Sequence, residues 1–298
     1  MNKYLIFRTD RIGDFLVSAI LIKCIKINDP SANITVVGSN KNSNYIQTFP
    51  YVDQVIRLNN NFLSKLNVFF KLFKFRYKAI IIHDDKKRSK LISFFLRSIN
   101  KVNIANSKEI THIQIIKDIL QKIRIDYFHD SLNILNHIKN EKFNNNYIQL
   151  HFDEKWIFNN YIEKFVNIEP VEIELINFIK ELTKNSGKKL IITTGVNLPN
   201  IIKKIKPKLD ELSVNLYEGL NFTQLKKITV NSAILISCHG AISHVAAAKN
   251  IKQIDVIDKS YNYSKWTSHF RNYNYLYREK FNTLSEQIIK KLDNFTKS

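Results

Sequence analysis

Cysteine is almost missing from this chain. Cys24 and Cys238 stand far apart, with no C-x-x-C spacing and no cluster of histidines, which excludes a disulfide framework and a zinc site of familiar spacing and fits a reduced, cytoplasmic setting. No apolar run approaches the roughly 18 residues needed to span a bilayer, so any membrane contact is expected to be peripheral. The first apolar run, Tyr4-Leu5-Ile6-Phe7, is too short for the core of a signal peptide and reads as a β-strand. Several motifs are lacking as well: G-x-G-x-x-G, G-x-x-x-x-G-K-[ST] despite Gly187-Lys188, and G-x-S-x-G. Nicotinamide, P-loop ATP and serine-hydrolase chemistries drop with them.

Acidic residues are also in short supply, 26 against 46 lysines and arginines, for a formal net charge of +20. That balance favours acidic partners such as phosphorylated substrates, anionic lipid or nucleic acid, without choosing among them. Part of it is shared with a general bias, since the chain is crowded with Asn and Ile and poor in Gly, Pro and Met. With 44% hydrophobic residues in 298, two ordinary domains can each bury a core, and disorder is excluded.

What is present is an alternation of strand-length apolar runs with helical patterns, the grammar of parallel sheets covered on both faces. Strands are expected at Lys3–Arg8, Asn33–Gly38, Gln54–Leu58, Lys78–His83 and Lys101–Ala105, with helices at about 13–28, 62–76 and 88–98 between them. A polar, Asn-rich stretch at 139–147 marks the domain boundary, giving domains 1–146 and 147–298. The second half repeats the pattern, with strands Ile148–Phe152, Lys189–Thr194, Ser213–Tyr217, Ala233–Cys238 and Gln253–Ile257. Helices are expected near 157–166, at 170–185 and 241–250, and at about 283–296. The fold class is therefore α/β, two Rossmann-like domains facing a cleft.

In open α/β sheets ligands bind beyond the carboxyl ends of the strands, which directs attention to three turns. The first strand runs into Arg8-Thr9-Asp10-Arg11-Ile12-Gly13-Asp14 and then an apolar helix. Gly13 would let the backbone approach a ligand, while Asp14 at the helix N-terminus is open to two roles, a site carboxylate or a simple cap favoured by the exposed N–H groups. Ala233–Cys238 leads through His239-Gly240 into the small-residue helix Ala241-Ile242-Ser243-His244-Val245-Ala246-Ala247-Ala248, either a phosphate site on free N–H groups or a helix packed closely on the sheet. Ile148–Phe152 leads into Asp153-Glu154-Lys155-Trp156, where Lys155 is either a phosphate contact or one solvated lysine among many. The turn Thr194-Gly195-Val196-Asn197 could line a nucleoside pocket, and Glu218-Gly219 after the next strand is a weaker candidate.

Arg-Thr-Asp-Arg-Ile-Gly-Asp-Phe-Leu-Val-Ser after an N-terminal strand resembles the opening of the ADP-heptose:lipopolysaccharide heptosyltransferases, glycosyltransferase family 9. Pro50-Tyr51-Val52-Asp53-Gln54-Val55-Ile56, Tyr77-Lys78-Ala79-Ile80-Ile81-Ile82-His83, Arg88-Ser89-Lys90-Leu91 and Asn103-Ile104-Ala105 continue the likeness in order and spacing. The segment 239–244 is similar to that family's nucleotide-sugar loop, Asp-Ser/Thr-Gly-x-x-His, with His244 matching the histidine. It departs from the loop at His239, Gly240 and Ala241, so acid-mediated contacts from position 239 are lost. Lys155-Trp156 matches the family's Lys-x-Trp element in part.

The resemblance implies a two-domain, inverting, metal-independent glycosyltransferase, in keeping with the absence of an Asp-x-Asp pair. Asp14 would be the catalytic base, with Arg11, Gly13 and Asp84 on the acceptor side. Lys155, Gly195, His239, the backbone of Gly240, Ala241, Ile242 and Ser243, and His244 would hold the donor. It implies no cofactor, a nucleoside diphosphate sugar resembling ADP-heptose as donor, and a lipopolysaccharide or other surface-glycan acceptor, lipid-linked or polysaccharide. The basic, aromatic stretch 62–76 is either a membrane-interface helix or a sheet-covering helix with a solvated edge. Two rivals stay open: a relative that binds nucleotide or glycan without turnover, and a basic nucleic-acid-binding protein, for which no recognisable module is present and no specific nucleic acid is expected.

Overall fold

The computed structural model describes residues 1–104, 110–138, 147–157 and 165–297. The chain divides into two compact units, Met1–His137 with Ser264–His269, and Ile138–Tyr263 with Phe270–Ser298. The boundary expected at 146/147 lies outside the described residues, as does most of the helix expected near 157–166.

Unit 1 is built from β1 (Lys3–Phe7), α1 (Ile12–Asn28), β2 (Asn33–Gly38), α2 (Ser43–Ile46), β3 (Gln54–Arg57), α3 (Phe62–Phe73), β4 (Arg76–Ile82), α4 (Lys87–Phe94), β5 (Arg97–Asn103) and α5 (His112–Lys122). Its sheet is parallel in the order β3-β2-β1-β4-β5. Tyr4, Leu5, Ile6 and Phe7 of β1 are all buried, because a strand covered on both faces by helices must be apolar on both. Asn61 caps α3 by accepting from the Ser64 N–H at 2.9 Å.

Unit 2 contains β6 (Tyr147–His151), α6 (Glu172–Ser186), β7 (Lys189–Thr193), α7 (Asn200–Glu211), β8 (Asn215–Tyr217), α8 (Phe222–Val230), β9 (Ile234–Cys238), α9 (Ala241–Ala248), β10 (Lys252–Ile257), then, after α10 (Ser264–Thr267) of unit 1, β11 (Tyr273–Tyr277) and α11 (Phe281–Lys297). Its parallel sheet runs β11-β10-β9-β6-β7-β8. Trp156 and Phe152 stack in its core, ring centroids 5.1 Å apart. Gly187 ends α6 at φ 60°, the left-handed position that favours glycine.

Three expectations need correction. The helix expected to 76 ends at Phe73, and Arg76 already opens β4, paired with Arg97. The helix expected to 98 ends at Phe94, and β5 begins at Arg97, four residues ahead of the expected strand. As an edge strand with one exposed face, Arg-Ser-Ile-Asn-Lys-Val-Asn carries no apolar run to mark it. Helices α5, α7 and α8 and strand β11 complete the set. In each sheet the first strand of its unit, β1 or β6, lies inside, where the strand order reverses, the usual place for a ligand in such folds.

Candidate active site

On unit 2, the ends of β9, β6 and β7 bring together three of the turns nominated from sequence. Asp153 follows β6 and is buried. Its carboxylate accepts from the Lys155 N–H at 3.1 Å and from Lys155 Nζ at 2.7 Å. Burial opposes ionisation of Asp153, but Lys155 and His151 hold its carboxyl well below the usual carboxylate range. Burial likewise works against the charge on Lys155, and Asp153 with its neighbours holds it above the ordinary lysine value. Lys155 is thus a fixed ammonium in an ion pair and not a solvated side chain.

That ammonium points at the start of α9. A methyl group on Gly240 would lie 2.6 Å from Lys155 Nζ, and one on Gly195 would lie 2.9 Å from Glu154 Oε2. Both glycines therefore serve close approach, and neither has positive φ. The Gly240 N–H donates to Ser243 Oγ at 3.2 Å and the Ser243 N–H returns to the Gly240 carbonyl at 3.1 Å. Two of the four backbone donors expected at this helix start are so engaged, and those of Ala241 and Ile242 are the other two.

Behind the turn sits a carboxylate that sequence reasoning passed over. Asp255, fully buried in β10, accepts from Ser237 Oγ at 2.8 Å and Ser243 Oγ at 2.9 Å, and pairs with His239 Nδ1 at 2.9 Å. His239 is therefore held by an acid from the next strand. Its ring also meets Tyr263, at 5.1 Å between centroids, and His244, at 5.6 Å. His244 is buried within α9, edge-on to Phe270. Arg278, after β11, donates from Nη2 to the Lys155 carbonyl at 2.8 Å and lies 3.7 Å from Cys238 Sγ, tying the β6 and β9 ends together. The sequence signal for Asp255 was an acid between Ile254 and Val256 within a strand; Arg278 left none.

On unit 1, the loop after β1 is organised by buried charge. Arg8 donates from Nε to the Asp14 carbonyl at 2.9 Å and from Nη1 to the His83 carbonyl, and its guanidinium lies 3.6 Å from Asp10 and 4.0 Å from Asp14 Oδ1. Asp14 Oδ2 accepts the Arg11 N–H at 2.9 Å, so the carboxylate does cap α1. Its side chain nonetheless stays 20% exposed, enough to reach a ligand. Arg11 is the exposed N-cap, and Gly13 lies in the first turn of α1. Asp84 is buried and fully engaged: Oδ2 accepts from Thr9 Oγ1 at 2.5 Å, Thr9 N at 3.2 Å and Ser89 Oγ at 2.8 Å, and Oδ1 from Lys86 N at 3.2 Å. It pins the β1 loop to the start of α4. Asp10 is the residue sequence reasoning missed here. Burial raises its carboxyl above the ordinary value, against the pull of Arg8 and with Asp14 adding to the rise.

No family model matches the sequence, and no curated protein matches it. Solved structures do. E. coli heptosyltransferase WaaC with ADP superposes with a TM-score of 0.74 at 12% identity, covering 97% of this chain and 99% of that one. The glycosyl transferase family 9 protein from Veillonella parvula gives 0.72 at 10% identity, covering 99% of this chain and 97% of that one. E. coli ADP-heptose lps heptosyltransferase II gives 0.67 at 12%, with 99% and 98% covered. The chain has the heptosyltransferase fold. UDP-GlcNAc 2-epimerase from Methanocaldococcus jannaschii shares it more loosely, with a TM-score of 0.59 at 11% identity, covering 100% of this chain and 93% of that one. Among the described residues, no group of three His, Cys, Asp or Glu is placed to hold a metal ion.

Proposed function

We propose that the protein is an inverting, metal-independent glycosyltransferase that moves a heptose-like sugar from a nucleoside diphosphate carrier to a lipopolysaccharide or other surface-glycan acceptor. The observation that carries this reading is the Lys155 ammonium held against Gly240 at the start of α9. A fixed cation beside a helix N-terminus suits a diphosphate, and the structures resembling this fold include one solved with ADP and one with ADP-2-deoxy-2-fluoro heptose.

In the proposed reaction, the Asp14 carboxylate takes the proton of an acceptor hydroxyl as that oxygen attacks the anomeric carbon. The bond from that carbon to the diphosphate oxygen breaks, and its electron pair leaves with the nucleoside diphosphate. Lys155 and the Ala241 and Ile242 N–H groups stabilise the charge that grows there. His239, His244 and Asp255 fix the turn that presents them. A lipid-linked acceptor places the work on the cytoplasmic face of a membrane, with peripheral contact through 62–76.

A binding protein without turnover is the second reading, favoured by the hydrogen bond that commits Asp14 Oδ2 to the helix cap. Two measurements decide. Thermal stabilisation by ADP, GDP, UDP and CDP and their sugar conjugates identifies the donor, since a ligand at 100 times its Kd adds about 2.7 kcal/mol. Release of nucleoside diphosphate in the presence of a glycan acceptor separates enzyme from binder. Stabilisation by no nucleotide removes the donor site.

A further inference from the structure

The surface of unit 1 around α3, α4 and β5 carries a concentration of apolar side chains that neither the fold nor the proposed chemistry uses. Phe70, Phe73, Leu91, Phe94, Phe95 and Ile99 are each between 40% and 74% exposed. They form one surface and not scattered positions. Phe69 meets Phe70, Phe73 and Phe95 at ring-centroid distances of 5.6, 5.2 and 6.2 Å, Phe95 meets Phe94 at 5.1 Å, and the Arg97 guanidinium lies 5.4 Å from the Phe73 ring. Continuous exposed patches of this kind mark interaction sites.

The charge around the patch has one sign. Between Phe62 and Ile104 the chain carries eleven lysines and arginines and only two acids, Asp84 and Asp85. Asp84 is buried, and Asp85 is already paired with Lys90 at 2.5 Å. Lys65, Lys71, Lys74, Arg76, Lys87 and Arg97 make no salt bridge among the described residues. Aromatic rings within a fringe of unpaired cations match the two layers of a lipid interface, acyl boundary below and anionic headgroups above. A protein partner would need a matching acidic, apolar surface, whereas a bilayer supplies both at any position.

We propose that this composite face of α3, α4 and β5 docks unit 1 on anionic lipid bilayers, with the exposed phenylalanines entering the headgroup boundary. This deepens the reading of a membrane-presented acceptor, but lipid binding is measured without turnover and stands or falls separately from it. Residues 62–76 supply only part of the face; α4 and the edge strand supply the rest. α3 is amphipathic, burying Val68 and Leu72 on its inner side and leaving Phe70 outward.

The test is co-sedimentation of the full chain with vesicles of phosphatidylcholine containing roughly one-third phosphatidylglycerol. Binding is expected at low ionic strength, falling as salt shortens the Debye length below about 10 Å, and absent on phosphatidylcholine alone. Phe94→Ser with Ile99→Ser, two exposed positions outside 62–76, should weaken the partition by about tenfold, the loss expected for side chains that no longer bury apolar surface in the interface. Melting and the nucleotide response of unit 2 should stay unchanged. Parent-like vesicle binding by that variant, or no binding by the parent at low salt, overturns the proposal. A concentration-dependent dimer of the parent that the same substitutions abolish overturns it too, by giving the face to a second copy.

Discussion

The loops that follow β1 and β9 each leave a strand beside the point where the order of its sheet reverses, and they are built in opposite ways. After β1, Asp10 and Asp14 lie against one buried arginine, Arg8, and keep side chains 21% and 20% exposed, beside the exposed Arg11 and with Lys86 Nζ 3.1 Å from Asp10. After β9, the buried acids Asp255 and Asp153 are each committed to a neighbour, His239 and Lys155, and the rim carries Lys155 and the start of α9. A loop of the first kind offers a carboxylate that can take a proton from a hydroxyl. A loop of the second kind offers a cation to a diphosphate. For the proposed transferase, a division of labour between an acceptor unit and a donor unit would follow from which way the carboxylates point.

The sharpest way to break this comparison is Asp14→Asn. The amide keeps an oxygen for the Arg11 N–H and costs chiefly the dipole contribution of about 0.3–1 kcal/mol, but cannot take a proton. Transfer is expected to fall by on the order of a hundredfold to ten-thousandfold with donor affinity intact. Asp10→Asn serves as its counterpart. If that substitution causes the larger loss in single-turnover transfer, the base is the raised carboxyl of Asp10 and not Asp14.

Lys155→Met tests the other loop. Loss of a charged contact should weaken nucleoside diphosphate binding by on the order of tenfold to a hundredfold. Because buried Asp153 loses its partner, unfolding should also become easier by about 1–3 kcal/mol. Calorimetric titration at a temperature where the variant is folded checks the first, and denaturant melts check the second.

The units should also differ in acid. His83 and His112 of unit 1 are buried and His269 is half-buried, and desolvation chiefly lowers each, His112 to about 3 and His269 to about 4. The unfolded chain takes up their protons below about 6.5, so stability is full above that value and is lost as pH falls toward 3, by up to about 1.4 kcal/mol per pH unit for each histidine. In unit 2, the lowered carboxyl of Asp153 supports the fold above the ordinary aspartate value and fails only below it. The two tryptophans report separately, Trp266 from unit 1 and Trp156 from unit 2. In Trp156→Phe and Trp266→Phe variants, the Trp266 signal should move first on acidification. Coincident transitions would remove the histidine argument.

The smallest effect is expected from Gly240→Ala. Its φ of −175° suits alanine, so melting should not change, but the new methyl displaces the tip of Lys155. Donor affinity should drop several-fold, roughly 1 kcal/mol. An unchanged affinity would mean that the lysine tip lies elsewhere when nucleotide is bound.

Much of this was legible because central parallel strands must be apolar. Tyr4–Phe7, Ile80–Ile82 and Ile234–Ile236 announced themselves, and the turns after them located Asp14 and Gly240. β11 did not, since Tyr-Asn-Tyr-Leu-Tyr is an edge strand with alternating exposure. Helix α5 went unread, although Ile115, Ile116, Ile119 and Leu120, all buried, recur at helical spacing. The partners of the nominated residues were the hidden part. Asp153 to Lys155 spans two positions, yet Asp255 to His239 spans sixteen and Arg278 to Lys155 spans 123, and local pattern carries no information about side chains meeting across strands.

The return of Ser264–His269 to unit 1 has a consequence for biosynthesis. His112 of α5 packs on Trp266, ring centroids 3.8 Å apart, so the first unit to leave the ribosome cannot be finished until most of the second has been made. During synthesis at about 5–20 residues per second, residues 1–137 wait for nearly the whole of the second unit before their last side chains arrive. A fragment ending at His137 should therefore emerge with an open seam beside α5, vulnerable to proteases and to association with other nascent chains until residue 269 is in place.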